Sequence, residues 1–357
     1  MGHPEHPLPG IVGRGAASNP SNRFERLQVT LDPHDDYFEP EAIKPQTQYF
    51  KDHSRSIIAR NDSPDVGAKV SINPYRGCEH GCVYCYARPT HEYLGFSLGL
   101  DFETKIMVKT DAPELLRKEL AHPRWQPQVV MFSGVTDIYQ PAERHFELTR
   151  RCLEVFLEFR NPVGMVTKNY LITRDLDLLR EMARYRCVSV GISLTTLDEE
   201  LRRLMEPRTS APRRRLAAIE ALVSAGVQVG VMTAPIIPGL NDHEIPALIR
   251  EAAQAGARWA AYTVVHLPYG LKDLFTDWLS RHYPERKEKV LGRIRAMRGG
   301  QLNDPRFGYR MTGEGVFADQ IRQLFRTACR RAGLPKPAYR LTTEHFRVPG
   351  VHQPRLW

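Results

Sequence analysis

The sequence is first defined by what it lacks. Nowhere in its 357 residues is there a long apolar run, so no membrane-spanning helix is expected. Met1 to Asn22 carry Pro, Gly, Ser and Arg but no apolar stretch of the kind a secretory signal needs, and they read as a disordered arm. A cytosolic location follows as the default expectation. Internal repeats are missing, and beyond the arm so are long low-complexity tracts. Cysteine is scarce, six in all, and badly distributed for a disulfide framework. Three crowd between positions 78 and 85, while Cys152, Cys187 and Cys329 lie far apart. Bridged frameworks belong to small secreted domains; a tight local group in a large chain points to metal. The other three sit in apolar patterns, such as Ile321, Leu324, Phe325, Ala328 and Cys329, and read as core residues.

What is present is ordinary globular material, 42% hydrophobic and 25% charged. The formal net charge of +9, with runs at Arg150–Arg151, Arg202–Arg203, Arg213–Arg215 and Arg330–Arg331, favours phosphate-bearing partners. Such runs are often only solvated helix faces, so charge alone names no substrate.

From about Ala68 the chain alternates short β-rich runs with amphipathic helices. Val70–Asn73, Gln128–Phe132, Val163–Thr167, Cys187–Leu194, Val227–Met232 and Trp259–His266 read as six strands. Between them lie helices at Asp111–Leu120, Glu143–Phe159, Leu176–Tyr185, Arg213–Ala225 and Ile245–Ala255, the last two closed by Gly226 and Gly256. Thr196 and Glu199 have capping-box spacing at the start of another short helix. Six alternating units imply an α/β fold with a parallel sheet and helices outside, an open (βα)6 TIM-like partial barrel. Reactive groups in such folds gather beyond the C-terminal ends of the strands. Three further helices at 271–281, 285–297 and 316–332 extend the barrel. The expected organisation is an arm at 1–67, a core at 68–268 and a helical extension at 269–357.

The cysteine group reads Asn73-Pro-Tyr-Arg-Gly-Cys78-Glu-His-Gly-Cys82-Val-Tyr-Cys85-Tyr-Ala-Arg88 and follows the first strand. Three thiolates this close wrap a compact metal site from a single loop, with Gly77 and Gly81 permitting tight backbone approach. A structural zinc site wants a fourth ligand, which His80 or His91 would supply. A cubane cluster held by only three cysteines leaves one iron open for a cofactor or substrate, as a catalytic cluster requires.

Cys78-x-x-x-Cys82-x-x-Cys85, with Tyr84 before the last cysteine and five βα-like units following, resembles the signature of the radical S-adenosylmethionine (radical SAM) superfamily. Over about Ala68 to Pro268 the resemblance implies a 4Fe–4S cluster on these cysteines and SAM bound at the open iron. It implies reductive cleavage of SAM to start a radical reaction, with electrons from a low-potential donor of flavodoxin or ferredoxin type. It also implies SAM-pocket roles: Tyr84 beside the cluster, and Ser133-Gly-Val-Thr-Asp137 where relatives carry a Gly-Gly-Glu-like turn for the SAM ammonium. Lys168 would approach the carboxylate, Ser193 and Thr195 the ribose or carboxylate, and Arg208 the carboxylate. The backbone of Pro235–Asp242 would line the adenine. Asn73-Pro-Tyr-Arg-Gly-Cys78, Glu206-Pro-Arg-Thr and Met311-Thr-Gly-Glu-Gly-Val-Phe-Ala-Asp are most similar to a bacterial group related to spore photoproduct lyase. That implies a lyase- or transferase-like reaction on an unidentified substrate, with nucleic acid suggested by analogy and by charge. No cysteine outside the loop is a secure counterpart of a substrate-facing thiol. The competing expectation is a zinc-stabilised nucleic-acid-binding protein without catalysis.

Overall fold

The computed structural model describes residues 13–25, 45–335 and 340–350. Its strands are β1 (Gln48–Lys51), β2 (Ile58–Arg60), β3 (Val70–Ile72), β4 (Tyr75–Arg76), β5 (Lys105–Val108), β6 (Val130–Phe132), β7 (Val163–Thr167), β8 (Val188–Ser193), β9 (Gln228–Ile236) and β10 (Trp259–Val264). Seven of them form one sheet in the order β10-β9-β8-β7-β6-β3-β2. Every neighbouring pair from β3 round to β10 is parallel, and β2 alone is antiparallel, against β3. The six expected strands are therefore the six parallel ones, in chain order, as right-handed βα units require. Val163 pairs with Val188 and Val190 with Val229, so β-branched residues meet across the sheet centre. Strand β8 is buried at all but one position, the mark of a parallel strand covered on both faces.

Helices at Ala112–Leu120, Leu148–Phe159, Leu176–Arg184, Pro212–Ser224 and Ile245–Gln254 cover the outside. Gly226 and Gly256 follow the last two with φ of +81° and +100°, the left-handed position expected of them. The expected helix from Glu143 to Phe159 is instead broken at Glu147, whose φ is +50°. The cause is the Glu143 carboxylate, which accepts hydrogen bonds from Thr149 N at 3.1 and 3.0 Å and so caps a new helix start. The capping box expected at Thr196 and Glu199 is also replaced. Asp198 caps the helix Glu199–Met205 by accepting from Glu200 N and Leu201 N, while Thr196 donates to Glu244.

Two parts of the fold had no counterpart in the expected strands. A small sheet, β1-β5-β4, frames the cysteine loop, with β1 and β5 parallel and β4 and β5 antiparallel. Residues 13–25, of which 13–22 belong to the stretch expected to be disordered, are folded against that loop; residues 1–12 and 26–44 lie outside the described residues. The extension helices Leu271–His282, Pro284–Ala296 and Val316–Arg331 share one hydrophobic core with the barrel. Trp278 Nε1 donates to Leu204 O at 3.0 Å, and the Tyr262 and Phe325 rings meet at 4.6 Å over the edge strand β10. Val264 N donates to Met311 O at 2.8 Å, so the stretch before the last helix runs beside the end of β10. Arg310 in turn pairs with Asp65 of the β2–β3 turn, and Gly308 N donates to the same carboxylate at 2.7 Å. The two edges of the open sheet are thereby joined. No described helix is long and apolar enough to cross a membrane.

Candidate functional site

The cysteine loop is held from every side by backbone groups. Cys78 N donates to Phe102 O at 2.9 Å and Val83 N to Met205 O at 3.1 Å. Gln140 bridges Gly77 O and Glu79 N at 3.2 and 2.9 Å. Arg88, completely buried, donates to Cys82 O at 2.9 Å, Gly81 O at 3.2 Å, Leu98 O at 3.1 Å and Gly99 O at 2.9 Å. Its remaining charge is met by Glu103, also fully buried. Glu103 reaches onward to the N-terminal segment, accepting from Gly15 N at 3.0 Å and Ala16 N at 2.8 Å. A Cβ on Gly15 would stand 1.8 Å from Gly81 O, so only glycine lets this segment lie on the loop. Nothing in the arm's composition signals this contact, because a Gly-rich stretch looks the same whether it is docked or free.

Cys78, Cys82 and Cys85 are free thiols, the first two buried and the third half-buried. Burial raises all three thiol pKa values; Asp137 and Cys82 raise Cys78 further, and Glu206 does the same for Cys82. Three soft donors in a dehydrated setting become thiolates only beside a strong positive centre, and a thiol-ligated iron–sulfur cluster is such a centre. The residues therefore fit the group. A single zinc fits less well. His80 is flanked, with Nδ1 3.3 Å from Asp137 Oδ2 and Nε2 against Asn169 Nδ2 at 3.1 Å. His91 is packed against the rings of Phe96 and Phe102, at 5.3 and 5.6 Å.

Around the thiols stand two buried carboxylate hubs. Asp137, after β6, accepts from Thr167 Oγ1 at 2.7 Å, Lys168 N at 2.7 Å and Tyr139 N at 2.9 Å, besides its contact with His80. Burial pushes its carboxyl up, but His80 and these hydrogen bonds prevail and hold it at about 2. So Asp137 ties β6 to β7, and its lone pairs are already occupied. Ser133 is likewise committed, with a φ of +96° and a bond from Oγ to Thr136 O at 2.9 Å. The turn's Gly134 O accepts from the Tyr86 hydroxyl.

Glu206 is the second hub. The hydroxyls of Tyr84 and Thr195 donate to its Oε1, and Arg215 pairs with its Oε2. Burial again pushes up, while Arg215 and Lys168 outweigh it and hold Glu206 at about 2. Arg215 also donates to Ser193 O at 3.0 Å and Ser210 O at 2.8 Å. Sequence reasoning singled out the Glu-Pro-Arg segment but placed its weight on Arg208. Arg208 instead reaches Glu79 Oε1 at 3.0 Å, on β1's side of the loop. The buried arginine of this region is Arg215, inside a run that reads from sequence as a solvated face.

Lys168 differs from its neighbours. Its Nζ donates to Ser193 Oγ at 2.8 Å, stands 5.9 Å from the Tyr84 ring centroid, and lowers the thiol pKa of both Cys82 and Cys85. Among the described residues it forms no ion pair. Across from it, Asn241 bonds to Thr195 O at 2.9 Å and Pro235 O at 3.2 Å, fixing the loop after β9. The arrangement brings Cys82, Cys85, Tyr84, Lys168 and Ser193 together, keeps Ser133 and Asp137 as braces, and separates Arg208. Cys152, Cys187 and Cys329 are buried core thiols, as expected.

Comparison with known proteins gives a consistent picture. The family described as Radical SAM superfamily matches residues 72–252. An uncharacterized protein of Mycobacterium tuberculosis is 40% identical over 232 residues, covering 64% of this chain and 68% of that one. One from Methanocaldococcus jannaschii is 30% identical over 230 residues, covering 64% and 82%. Spore photoproduct lyase complexed with dinucleoside spore photoproduct has the same fold, with a TM-score of 0.58 over 82% of both chains at 17% identity.

Proposed function

Since this chain belongs to the radical SAM superfamily, whose members use a 4Fe–4S cluster and SAM, we propose that Cys78, Cys82 and Cys85 carry the cluster and that SAM lies between this loop and Lys168. The observation that carries the reading is the half-buried Lys168 ammonium, which bonds to a hydroxyl and makes no ion pair among the described residues, in a wall where Arg88, Arg215 and His80 each face a carboxylate. A cation held 2.8 Å from a hydroxyl and facing a thiol cluster is an incomplete site for a carboxylate-bearing ligand. When bound, the cluster and SAM together supply one-electron reductive cleavage of a carbon–sulfur bond.

The chain's own residues bind and shield. The Lys168 Nζ and Ser193 Oγ would hold the SAM carboxylate, and the carbonyls of Ser133 and Val135 would face its ammonium, Gly134 O being taken by the Tyr86 hydroxyl. Tyr84, locked by Glu206, closes the floor beside the cluster. Asp137 and Arg215 keep β6, β7 and β8 in register, so Lys168 arrives at a fixed place. Arg208 braces Glu79 and with it the outer side of the loop. Electrons come from a low-potential donor of flavodoxin or ferredoxin type. The substrate we propose is a nucleic acid, supported by the net charge of +9, with a lyase- or transferase-like outcome.

Anaerobic purification tests the core of this reading. We expect a brown protein with about four irons and four sulfides per chain and, after reduction, release of 5′-deoxyadenosine from SAM. A colourless protein with one zinc would overturn it and favour a purely binding role.

A further inference from the structure

Among the described residues most exposed aromatic rings stand in two groups, one beside the segment that follows the cysteine loop and one beside the C-terminal end of β10. The first is built on Arg23, from the docked N-terminal segment. Its guanidinium lies 3.9 Å from the Tyr269 ring centroid, 4.7 Å from Phe24 and 5.2 Å from Tyr93. Tyr93 follows the cysteine loop and Tyr269 follows β10, so this group joins the loop to the last strand. The second group is the turn before the final helix. Arg306 covers Tyr309 at 4.5 Å and Arg310 covers Phe307 at 4.6 Å. Arg298 ties this turn to β10's end by donating to both Val265 O and Tyr309 O.

These rings are far more exposed than packing requires: Tyr93 is 70% exposed, Tyr269 62%, Phe307 55% and Tyr309 44%. A guanidinium on one face of a ring fixes its tilt and leaves the other face to solvent. Flat, preset, half-open aromatic faces beside cations are what unstacked bases occupy on single-strand-binding proteins. The guanidiniums themselves are neutralised, Arg23 by Glu92, Arg306 by Asp304 and Glu314, and Arg310 by Asp65. They therefore orient rings and do not collect phosphates. The sign of the partner is set by the chain's overall charge of +9.

We propose that the rings around Arg23 and the Phe307–Tyr309 turn form a base-stacking rim that receives an unpaired stretch of nucleic acid at the mouth of the site. This deepens the proposed nucleic-acid substrate and rests on it. The test compares the full-length protein's affinity for a short single-stranded oligothymidylate and for an abasic strand of equal length. The normal rings should favour the base-bearing strand by at least about fivefold. Tyr269→Ala and Phe307→Ala should each erode that preference, and Tyr269→Phe should keep it. Because the guanidiniums are paired, the slope of log affinity against log salt should stay unchanged in these variants. Equal binding of the two strands, no binding of either, or an unaltered preference in both alanine variants would overturn the rim. None of these outcomes bears on the cluster, which is read separately from iron content and 5′-deoxyadenosine release.

Discussion

The wall beneath the cysteines and the rim around them are built on opposite principles. In the wall, Arg88 with Glu103 and Arg215 with Glu206 are fully buried and His80 with Asp137 nearly so, and one or both members of each pair also bond to backbone. At the rim, arginines cover rings that stand in water. Charge buried in pairs is costly to separate and confers fixed geometry; charge paired at the surface is worth little to stability. The difference teaches that this molecule keeps its reactive centre rigid and its surroundings replaceable.

The largest test of the contrast is at the cysteines themselves. Cys82→Ser should abolish cluster loading, seen as loss of iron and of visible absorbance, with the barrel still folded by circular dichroism. One step out, Arg88→Met should strand Glu103 and cost about 3–5 kcal/mol, read as a lower unfolding midpoint of the cluster-free protein. A variant as stable as the parent would mean that the wall is not rigidified by its ion pairs.

The same pairs were the least legible part of the sequence. The six parallel strands, the two glycine caps and the position of the cysteine loop could be read, because periodicity and backbone chemistry are local. Glu206, Arg215, Glu103 and Arg88 could not, because a buried charge looks like any other charge until its partner, here 9 to 15 residues away, is brought in by the fold. Arg208 shows the converse. Its residue type and neighbourhood suited a ligand role, and only the placement of Glu79 from the cysteine loop gives it another partner. Among the SAM-pocket candidates, Asp137 and Ser133 bond to neighbouring loop and strand groups, whereas Lys168 bonds to Ser193.

Acid should expose the wall next. Asp137 and Glu206 are both held at about 2, below their ordinary values. A carboxyl depressed in the folded state favours folding above its unfolded pKa near 4, and that advantage disappears as pH falls toward 2. Each contributes on the order of 2 kcal/mol at neutral pH. Melting temperatures of the cluster-free protein should therefore drop between pH 5 and about 2, and Glu206→Gln should flatten that acid limb while lowering the neutral plateau. Unchanged curvature would show that Arg215 does not hold Glu206 charged. A smaller effect is expected at Lys168, which makes no direct ion pair among the described residues and only adds to the field that Arg215 places on Glu206. Lys168→Met should lower the melting temperature less than Glu206→Gln does and weaken SAM binding about tenfold, measured by calorimetry on the cluster-loaded protein.

The smallest effect on stability belongs to the rim, and it sharpens the contrast most. Phe307 leaves most of its surface in water, and the Arg310 that lies over it keeps its pair with Asp65 whether or not the ring is present. Removing the ring takes away little buried area, and the clasp between the two sheet edges persists. Phe307→Ala should shift stability by no more than about 0.5 kcal/mol, within the scatter of a thermal melt. If instead it destabilises the protein as Arg88→Met does, the ring belongs to the clasp and the division between a rigid wall and a free rim fails. If the melt is unmoved while preference for base-bearing strands falls, the ring's exposed face serves binding and its packed face serves nothing the fold needs.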